Sequence, residues 1–127
     1  MNEKPMNFGE YLKRKREEKG ISLRELARKL ELSATFLSDV ESNRRAPLTE
    51  DRLLSLAEVL NLSEDEKTEM YDIVGKQRGQ LPPDLNPYIQ DRPYVNAALR
   101  TARNLDANEE DWQMFVAELV RRKREDN

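Results

Sequence analysis

The sequence predicts an all-α fold, and three observations support this prediction. Apolar residues recur every three or four positions along most of the 127-residue chain, which places them on one face of an α-helix. Serine, threonine or asparagine precedes most of these segments, as is typical of residues that cap a helix N-terminus. Glycine, asparagine or proline follows several of them, where helices commonly end.

The first three predicted helices are short and close together in the sequence. Helix one covers residues 8–19 and ends before Gly20, and helix two begins at a capping box formed by Ser22 and Glu25. Ser33 caps helix three, which is about nine residues long and too short to be stable without packing on its neighbours. Their apolar faces consist of Phe8, Tyr11, Leu12, Leu23, Leu26, Ala27, Leu30, Leu37 and Val40.

Two further helices complete the first predicted domain, which covers residues 1–76. Asn43 ends helix three, because asparagine tolerates the left-handed backbone conformation better than most residues other than glycine. Thr49 caps helix four, and Ser63 forms a capping box with Glu66 at the start of helix five. The inward-facing residues of these two helices are Leu53, Leu56, Ala57, Leu60, Met70, Ile73 and Val74.

A proline-rich segment separates this domain from a C-terminal pair of helices. Residues 77–93 form the predicted linker, since the prolines there allow no more than a turn of helix. Residues 94–127 form the helical pair, and Asn108 caps its second helix. The apolar faces of the pair consist of Val95, Ala98, Leu99, Ala102, Leu105, Trp112, Phe115, Val116 and Leu119. Because two helices alone make a thin core, they pack either on the first domain of their own chain or on a second copy of the chain.

The composition excludes most catalytic chemistry. The chain contains no cysteine and no histidine, so it forms no disulfide, no thiolate or histidine metal site, and no Ser-His-Asp or Cys-His catalytic group. We therefore expect no enzyme activity, no metal and no cofactor. We also expect no membrane association, since no apolar stretch approaches the ~20 residues of a membrane span. The polar N-terminus lacks a secretory signal, which favours the cytoplasm.

The net charge of −3 conceals an uneven distribution along the chain. Residues 1–48 carry 11 Lys and Arg against 8 Asp and Glu, a net charge of +3. Residues 49–127 carry 11 Lys and Arg against 17 Asp and Glu, a net charge of −6. A positive N-terminal part is typical of a protein that binds nucleic acid with one lobe, although ordinary surface variation produces the same difference.

Helices two and three have the pattern of two short helices that cross at a steep angle. Such a crossing needs a small residue, apolar residues at fixed offsets and an apolar residue in the turn. In this sequence these positions hold Leu26, Ala27, Leu30, Leu32, Leu37 and Val40. "LRELARKLELSATFLSDVE" at residues 23–41 therefore resembles the helix-turn-helix of the XRE (Cro/cI, phage-repressor-like) family. The resemblance implies a five-helix lambda-repressor-like DNA-binding domain, with the helix-turn-helix at about 23–42 and the recognition helix at about 33–41.

The resemblance also implies how individual residues contact double-stranded DNA. The residues facing base edges in the major groove are Ala34, Thr35, Ser38 and Asp39. The residues contacting phosphates are Ser22, Ser33, Asn43, Arg44 and Arg45. Arg16 and Glu41 match an ion pair that joins helix one to the recognition helix, so we expect Glu41 to be a structural acid.

The chemistry of the recognition helix is consistent with these roles. Ala34 and Thr35 are small enough to approach a thymine methyl group, and Ser38 donates or accepts a hydrogen bond at a base edge. Three roles remain open for the Asp39 carboxylate. It accepts a hydrogen bond from a cytosine amino group, it faces solvent, or it pairs with an arginine of the following loop.

Three residues depart from the family pattern. Leu23 stands where many members carry a glutamine that contacts phosphate, so this contact is either lost or made by Ser22 or Arg24. Glu31 occupies a turn position where glycine is commonest, so we expect a positive φ there at a cost of roughly 1 kcal/mol. Asn43 replaces a glycine at the end of the recognition helix.

Two functions are consistent with the sequence. The first is a sequence-specific transcriptional regulator, a repressor that binds a palindromic operator as a homodimer. Its dimer interface would contain Trp112, Phe115, Val116 and Leu119. The second is an antitoxin-like or peptidase-controlled interaction protein, whose C-terminal helices bind a toxin or a regulatory peptidase and whose DNA binding is autoregulatory. The segment "ALRTARNLDANEEDW" resembles regulators encoded on mobile elements beside a metallopeptidase that cleaves them, which supports the second.

Overall fold

A computed structural model describes residues 6–126, and this part of the chain forms eight α-helices and no strand. The expected all-α fold is therefore confirmed. The helices are α1 (Phe8–Glu18), α2 (Leu23–Lys29), α3 (Ala34–Glu41), α4 (Glu50–Val59), α5 (Glu64–Arg78), α6 (Asn86–Ile89), α7 (Pro93–Asn104) and α8 (Glu109–Glu125). The chain divides into two compact units, the first ending at Pro87 and the second beginning at Tyr88.

Polar side chains cap the starts of most helices, as the sequence predicts. The side chain of the N-cap residue accepts a backbone N–H three residues later at Asn7, Ser22, Ser33, Ser63 and Asn108. Thr49 lies at the N-cap position of α4, but its side chain makes no capping hydrogen bond. At Ser63 the capping box is complete, because the Glu66 carboxylate accepts the Ser63 N–H in return.

Six helices end through the same backbone motif, in which a residue with positive φ follows the helix. The residues with positive φ are Gly20, Glu31, Asn43, Asn61, Gly79 and Asp106. The N–H of the next residue then donates to the carbonyl five residues earlier, as Leu32 does to Ala27 at 2.8 Å and Arg44 to Asp39 at 2.9 Å. This motif satisfies carbonyl groups that the end of a helix leaves unpaired. The positive φ expected at Glu31 is confirmed, and its value is 58°.

The core of the first unit is apolar and lies between α1 to α5. Its buried residues are Phe8, Tyr11, Leu12, Leu26, Ala27, Leu30, Leu37, Val40, Leu48, Leu53, Leu56, Ala57, Leu60, Leu62, Met70, Tyr71 and Val74. Most of them were predicted from helical spacing, whereas Leu48, Leu62 and Tyr71 were not. The Tyr11 hydroxyl donates to the Glu66 carbonyl at 2.6 Å, and burial raises the pKa of Tyr11, so the phenol stays protonated.

A glycine sets how closely α1 approaches the end of α3. A Cβ atom on Gly9 would lie 2.6 Å from the Val40 carbonyl oxygen and would also collide with the Glu41 carbonyl oxygen. Real side chains do not approach backbone atoms this closely. Gly9 therefore allows α1 to pack against the C-terminal turn of α3.

The segment predicted as a linker, residues 77–93, contains the end of α5, the single turn of α6 and the boundary between the two compact units. Helix α5 continues to Arg78, and the first compact unit continues to Pro87. The physical reason lies at Gly75, where a Cβ atom would lie 2.7 Å from the nitrogen of Pro82. The absence of a side chain at Gly75 lets the chain after α5 fold back onto that helix.

The second unit contains α7 and α8, which are joined by a tight turn. The Ala107 N–H donates to the Ala102 carbonyl at 2.8 Å, and Asn108 then forms a capping box with Asp111 at the start of α8. Neither helix contains a buried residue. None of the helices among residues 6–126 is long and apolar enough to cross a membrane.

Candidate nucleic-acid interface

Helix α3, the predicted recognition helix, has one buried face and one face that is open to solvent. Leu37 and Val40 are buried in the core, where they hold the helix against α1 and α2. Thr35 and Ser38 are exposed on the other side, and Ala34 is half-buried beside them. The side chains predicted to contact bases thus lie on one surface of a helix whose opposite face is fixed by packing.

The start of α3 presents groups that can bind an anion. The Ser33 Oγ atom accepts the Phe36 N–H at 3.0 Å, so its hydroxyl proton is left to donate. The first N–H groups of a helix have no partner inside the helix, and they carry partial positive charge. At the start of α2, Ser22 is arranged in the same way and accepts the Glu25 N–H at 3.1 Å.

Two exposed arginines follow α3, and the family resemblance implies that both contact phosphates. Asn43 has a φ of 61° and turns the chain, so that Arg44 and Arg45 lie beside the last turns of the helix. The Arg45 guanidinium lies over the Phe36 ring, 4.6 Å from its centre. The sequence did not predict this stacking, because the path of a loop leaves no periodic signal.

Asp39 lies between these two arginines. Its Oδ1 atom is 3.7 Å from Arg44 Nη1, and its Oδ2 atom is 3.6 Å from Arg45 Nε. Of the alternatives left open by the sequence, the structure contains the pairing with the loop arginines. The guanidinium groups of Arg44 and Arg45 therefore share the carboxylate of Asp39.

The other acid of this helix, Glu41, is held by Arg16. Arg16 Nε donates to one Glu41 oxygen at 2.8 Å and Arg16 Nη2 donates to the other at 3.2 Å, so the pair is bidentate. Arg16 also donates to the Ile21 carbonyl at 3.1 Å. The hydrogen bonds to Glu41 raise the pKa of Arg16, and only 9% of the Glu41 side chain is exposed. Glu41 is thus neutralised inside the fold.

One further contact supports the turn of the helix-turn-helix. Arg52 of α4 donates to the Leu30 carbonyl at the end of α2, at 2.9 Å. Arg52 also lines a depression of about 380 Å³ together with Phe36, Arg45, Pro47 and Thr49. The sequence did not predict this role of Arg52, since nothing in its spacing relates it to Leu30.

The candidate dimer residues belong to the second compact unit. Trp112, Phe115, Val116 and Leu119 follow one another along α8, and each of them is exposed. The rings of Trp112 and Phe115 meet edge to face, with 5.9 Å between their centres. These four exposed apolar residues thus form a continuous stripe along one face of the helix.

One comparison with known proteins identifies a helix-turn-helix in the first unit. The model of the helix-turn-helix family HTH_3 matches residues 12–67. A solved structure, the SinR protein/SinI protein complex, is similar with 24% sequence identity and a TM-score of 0.46, covering 92% of this chain and 98% of that one. Among the curated proteins, none matches.

Proposed function

Because residues 12–67 place this chain in the XRE family of helix-turn-helix regulators, we propose that it is a repressor that binds a palindromic operator as a homodimer. One observation carries the proposal. Helix α3 is fixed to the core by Leu37 and Val40, and it exposes small polar residues. After two further residues come Arg44 and Arg45. This arrangement is typical of a helix that enters the major groove while the loop beside it contacts the DNA backbone.

The proposed contacts divide into two classes. Thr35, Ser38 and the methyl group of Ala34 would contact base edges, where small polar groups distinguish base pairs. Arg44 and Arg45, with the hydroxyl groups and N–H groups at the starts of α2 and α3, would contact phosphates. The first class would provide sequence preference, and the second would provide most of the affinity.

The homodimer is supported by the surface of α8. Its first turn contains Glu109, Glu110 and Asp111, and its last turn contains Arg122, Lys123 and Arg124. Between these ends runs the exposed apolar stripe. When two copies of α8 pair antiparallel, the acidic end of each lies beside the basic end of the other, and the stripes cover each other. A second copy of the chain therefore fits this surface in both charge and hydrophobicity.

Selection of bound sequences from a random DNA pool tests the proposed DNA binding. We expect an enriched palindrome whose half-sites are centred about 34 Å apart, as two symmetric recognition helices require. Absence of any enrichment would contradict sequence-specific binding. It would favour the alternative in which α8 binds a toxin or a regulatory peptidase.

Mixing two charge variants tests the antiparallel dimer. One variant, Arg122→Glu with Lys123→Glu, is acidic at both ends of α8, and the other, Glu109→Lys with Glu110→Lys, is basic at both ends. We expect each variant alone to lose self-association in analytical ultracentrifugation, and the equimolar mixture to form a heterodimer. Two variants that both self-associate, or a mixture that stays monomeric, would contradict this pairing.

A further inference from the structure

The two acids of the recognition helix are held in different ways. Glu41 forms a bidentate pair with Arg16 at 2.8 Å and is almost fully covered. Asp39 is 3.6 Å and 3.7 Å from its two arginines, which is longer than the 2.7–2.9 Å usual for charge-assisted hydrogen bonds. Asp39 is also more exposed, with 25% of its side chain open to solvent. Glu41 is therefore fixed by its partner, whereas Asp39 can change partners without leaving a buried charge unpaired.

The arginines that share Asp39 are those proposed to bind phosphate. Arg44 and Arg45 are 76% and 51% exposed, so a phosphate can approach both of them. While the carboxylate remains between them, it reduces their attraction for phosphate and itself repels the DNA backbone. The position of Asp39 thus influences how strongly the loop binds DNA.

Asp39 also lies within reach of the proposed base-contacting face. It is four residues after Thr35, so the two side chains are one helical turn apart on α3. In the major groove, cytosine presents an amino donor, which a carboxylate accepts. Guanine presents acceptors there, thymine presents an acceptor and a methyl group, and adenine places the acceptor N7 beside its amino group. Cytosine is therefore the base that best attracts this carboxylate.

We propose that Asp39 couples base recognition to phosphate binding, because its carboxylate leaves the two arginines when it accepts from a cytosine amino group. The released arginines then bind phosphates at full strength. Opposite any other base, Asp39 stays between the arginines and weakens binding to the backbone. This inference rests on the proposed function, and it makes Asp39 a residue that determines specificity through Arg44 and Arg45.

Substitution of Asp39 by alanine tests the coupling, with the full chain and both a selected operator and a random duplex. We expect Asp39→Ala to bind the random duplex about tenfold more tightly and to increase the salt dependence of that binding by about one released ion. At one position of each half-site, the preference for cytosine should fall by about tenfold. Asp72→Ala is the matched control, because it removes one negative charge from an exposed position on α5.

A double-mutant cycle with Arg45→Ala measures the coupling directly. On the random duplex, we expect Arg45→Ala to cost more affinity in the Asp39→Ala background than in the original chain, because the arginine has then lost its competing carboxylate. The isosteric Asp39→Asn variant should give the same result, which excludes an effect of side-chain size.

Each outcome bears on one proposal or the other. If the original chain binds no duplex, the proposed function fails. If the original chain selects an operator and Asp39→Ala keeps both its cytosine preference and its affinity for the random duplex, the coupling alone is wrong. A variant that binds random DNA more tightly but keeps its cytosine preference also overturns the coupling, since Asp39 would then only screen the arginines.

Discussion

At the scale of single residues, the pairing of Glu41 with Arg16 neutralises an acid that lies next to the surface proposed to bind DNA. Both side chains are largely covered, with 14% and 9% exposed, and two hydrogen bonds join them. Removing one member of a covered ion pair leaves the other charge without a partner in a place where water cannot fully solvate it. The pair thus joins α1 to the end of α3 and neutralises a negative charge beside the proposed phosphate contacts.

We expect Glu41→Ala to lower the free energy of unfolding by about 3 kcal/mol, because it leaves the Arg16 guanidinium without its counter-charge. Urea denaturation measures this change. Glu18→Ala is the matched control, since Glu18 pairs with Arg14 and Lys15 on the surface, and such pairs contribute about 0.2–1 kcal/mol. Equal losses in the two variants would contradict a special role for the covered pair.

Substitutions in and after α3 should separate base recognition from phosphate binding. We expect Thr35→Ala or Ser38→Ala to relax the base preference, since each removes a group that would contact a base edge. We expect Arg44→Ala to weaken binding to all sequences and to lower the salt slope by about one. Fluorescence anisotropy at several salt concentrations measures both effects. An Arg44→Ala variant with unchanged affinity and unchanged salt dependence would refute the role of this loop.

At the scale of helices, a single residue with positive φ ends each of six helices. The turn between α2 and α3 depends on Glu31, whose φ is 58°. The N–H of the next residue, Leu32, donates to the Ala27 carbonyl at 2.8 Å and so closes the helix end. A residue with a Cβ atom is strained in this conformation, and glycine is not. The turn forms in spite of this strain, because Leu26, Leu30 and Leu37 are buried together on either side of it.

We expect Glu31→Gly to raise the free energy of unfolding by about 1 kcal/mol, because it removes the strain of the left-handed conformation. The opposite change at the end of α1, Gly20→Ala, should lower it by about the same amount, since Gly20 has a φ of 69°. Thermal unfolding measures both variants. If neither Glu31→Gly raises the free energy of unfolding nor Gly20→Ala lowers it, the left-handed conformation at these helix ends does not affect stability.

The start of α5 should make stability depend on pH. The Glu66 carboxylate accepts the Ser63 N–H and pairs with Lys15, and these contacts lower its pKa from 4.5 to about 2. Because the pKa is lower in the folded chain than in the unfolded one, the ionised carboxylate stabilises the fold fully above about pH 4.5. This contribution is lost as the pH falls from 4.5 towards 2.

We therefore expect Glu66→Gln to reduce the loss of stability between pH 5 and pH 2, measured as urea midpoints at each pH. Glu64→Gln is the control, because Glu64 lies in the same helical turn but its side chain is 90% exposed. If the urea midpoints of both variants change with pH as those of the original chain do, the contacts of Glu66 do not govern the pH dependence of stability.

At the scale of the whole molecule, the two compact units differ in how much apolar surface they bury. The first unit has a continuous apolar core formed by five helices. The second unit has no buried residue in α7 or α8, and it exposes large apolar side chains along α8. Exposed apolar surface of this kind is typical of a site for another protein chain, and the proposed homodimer would cover it.

We expect Phe115→Glu to prevent dimer formation and to weaken operator binding strongly, because a charge in the centre of the stripe opposes its burial. Sedimentation equilibrium and operator titration measure the two effects. Met114→Glu is a matched control, since Met114 is an exposed apolar residue on the opposite side of α8. Equal behaviour of the two variants would mean that the stripe is not the dimer interface.

The sequence alone determined the positions of most helices and most of the core. These features depend on neighbours along the chain, because helical spacing, capping residues and left-handed helix ends act within a few residues. The resemblance to a known family added the pairing of Arg16 with Glu41, which no local pattern indicates.

Only the tertiary structure decided which distant groups meet. The close approach at Gly9, the packing of Pro82 on Gly75 and the support of the turn by Arg52 join residues that no periodic pattern relates. The same holds for Asp39, whose place between Arg44 and Arg45 depends on how the loop folds back after α3. The physical reason is that a loop follows its own φ and ψ angles and the packing around it, so the partners of its side chains are set in three dimensions and not by spacing in the sequence.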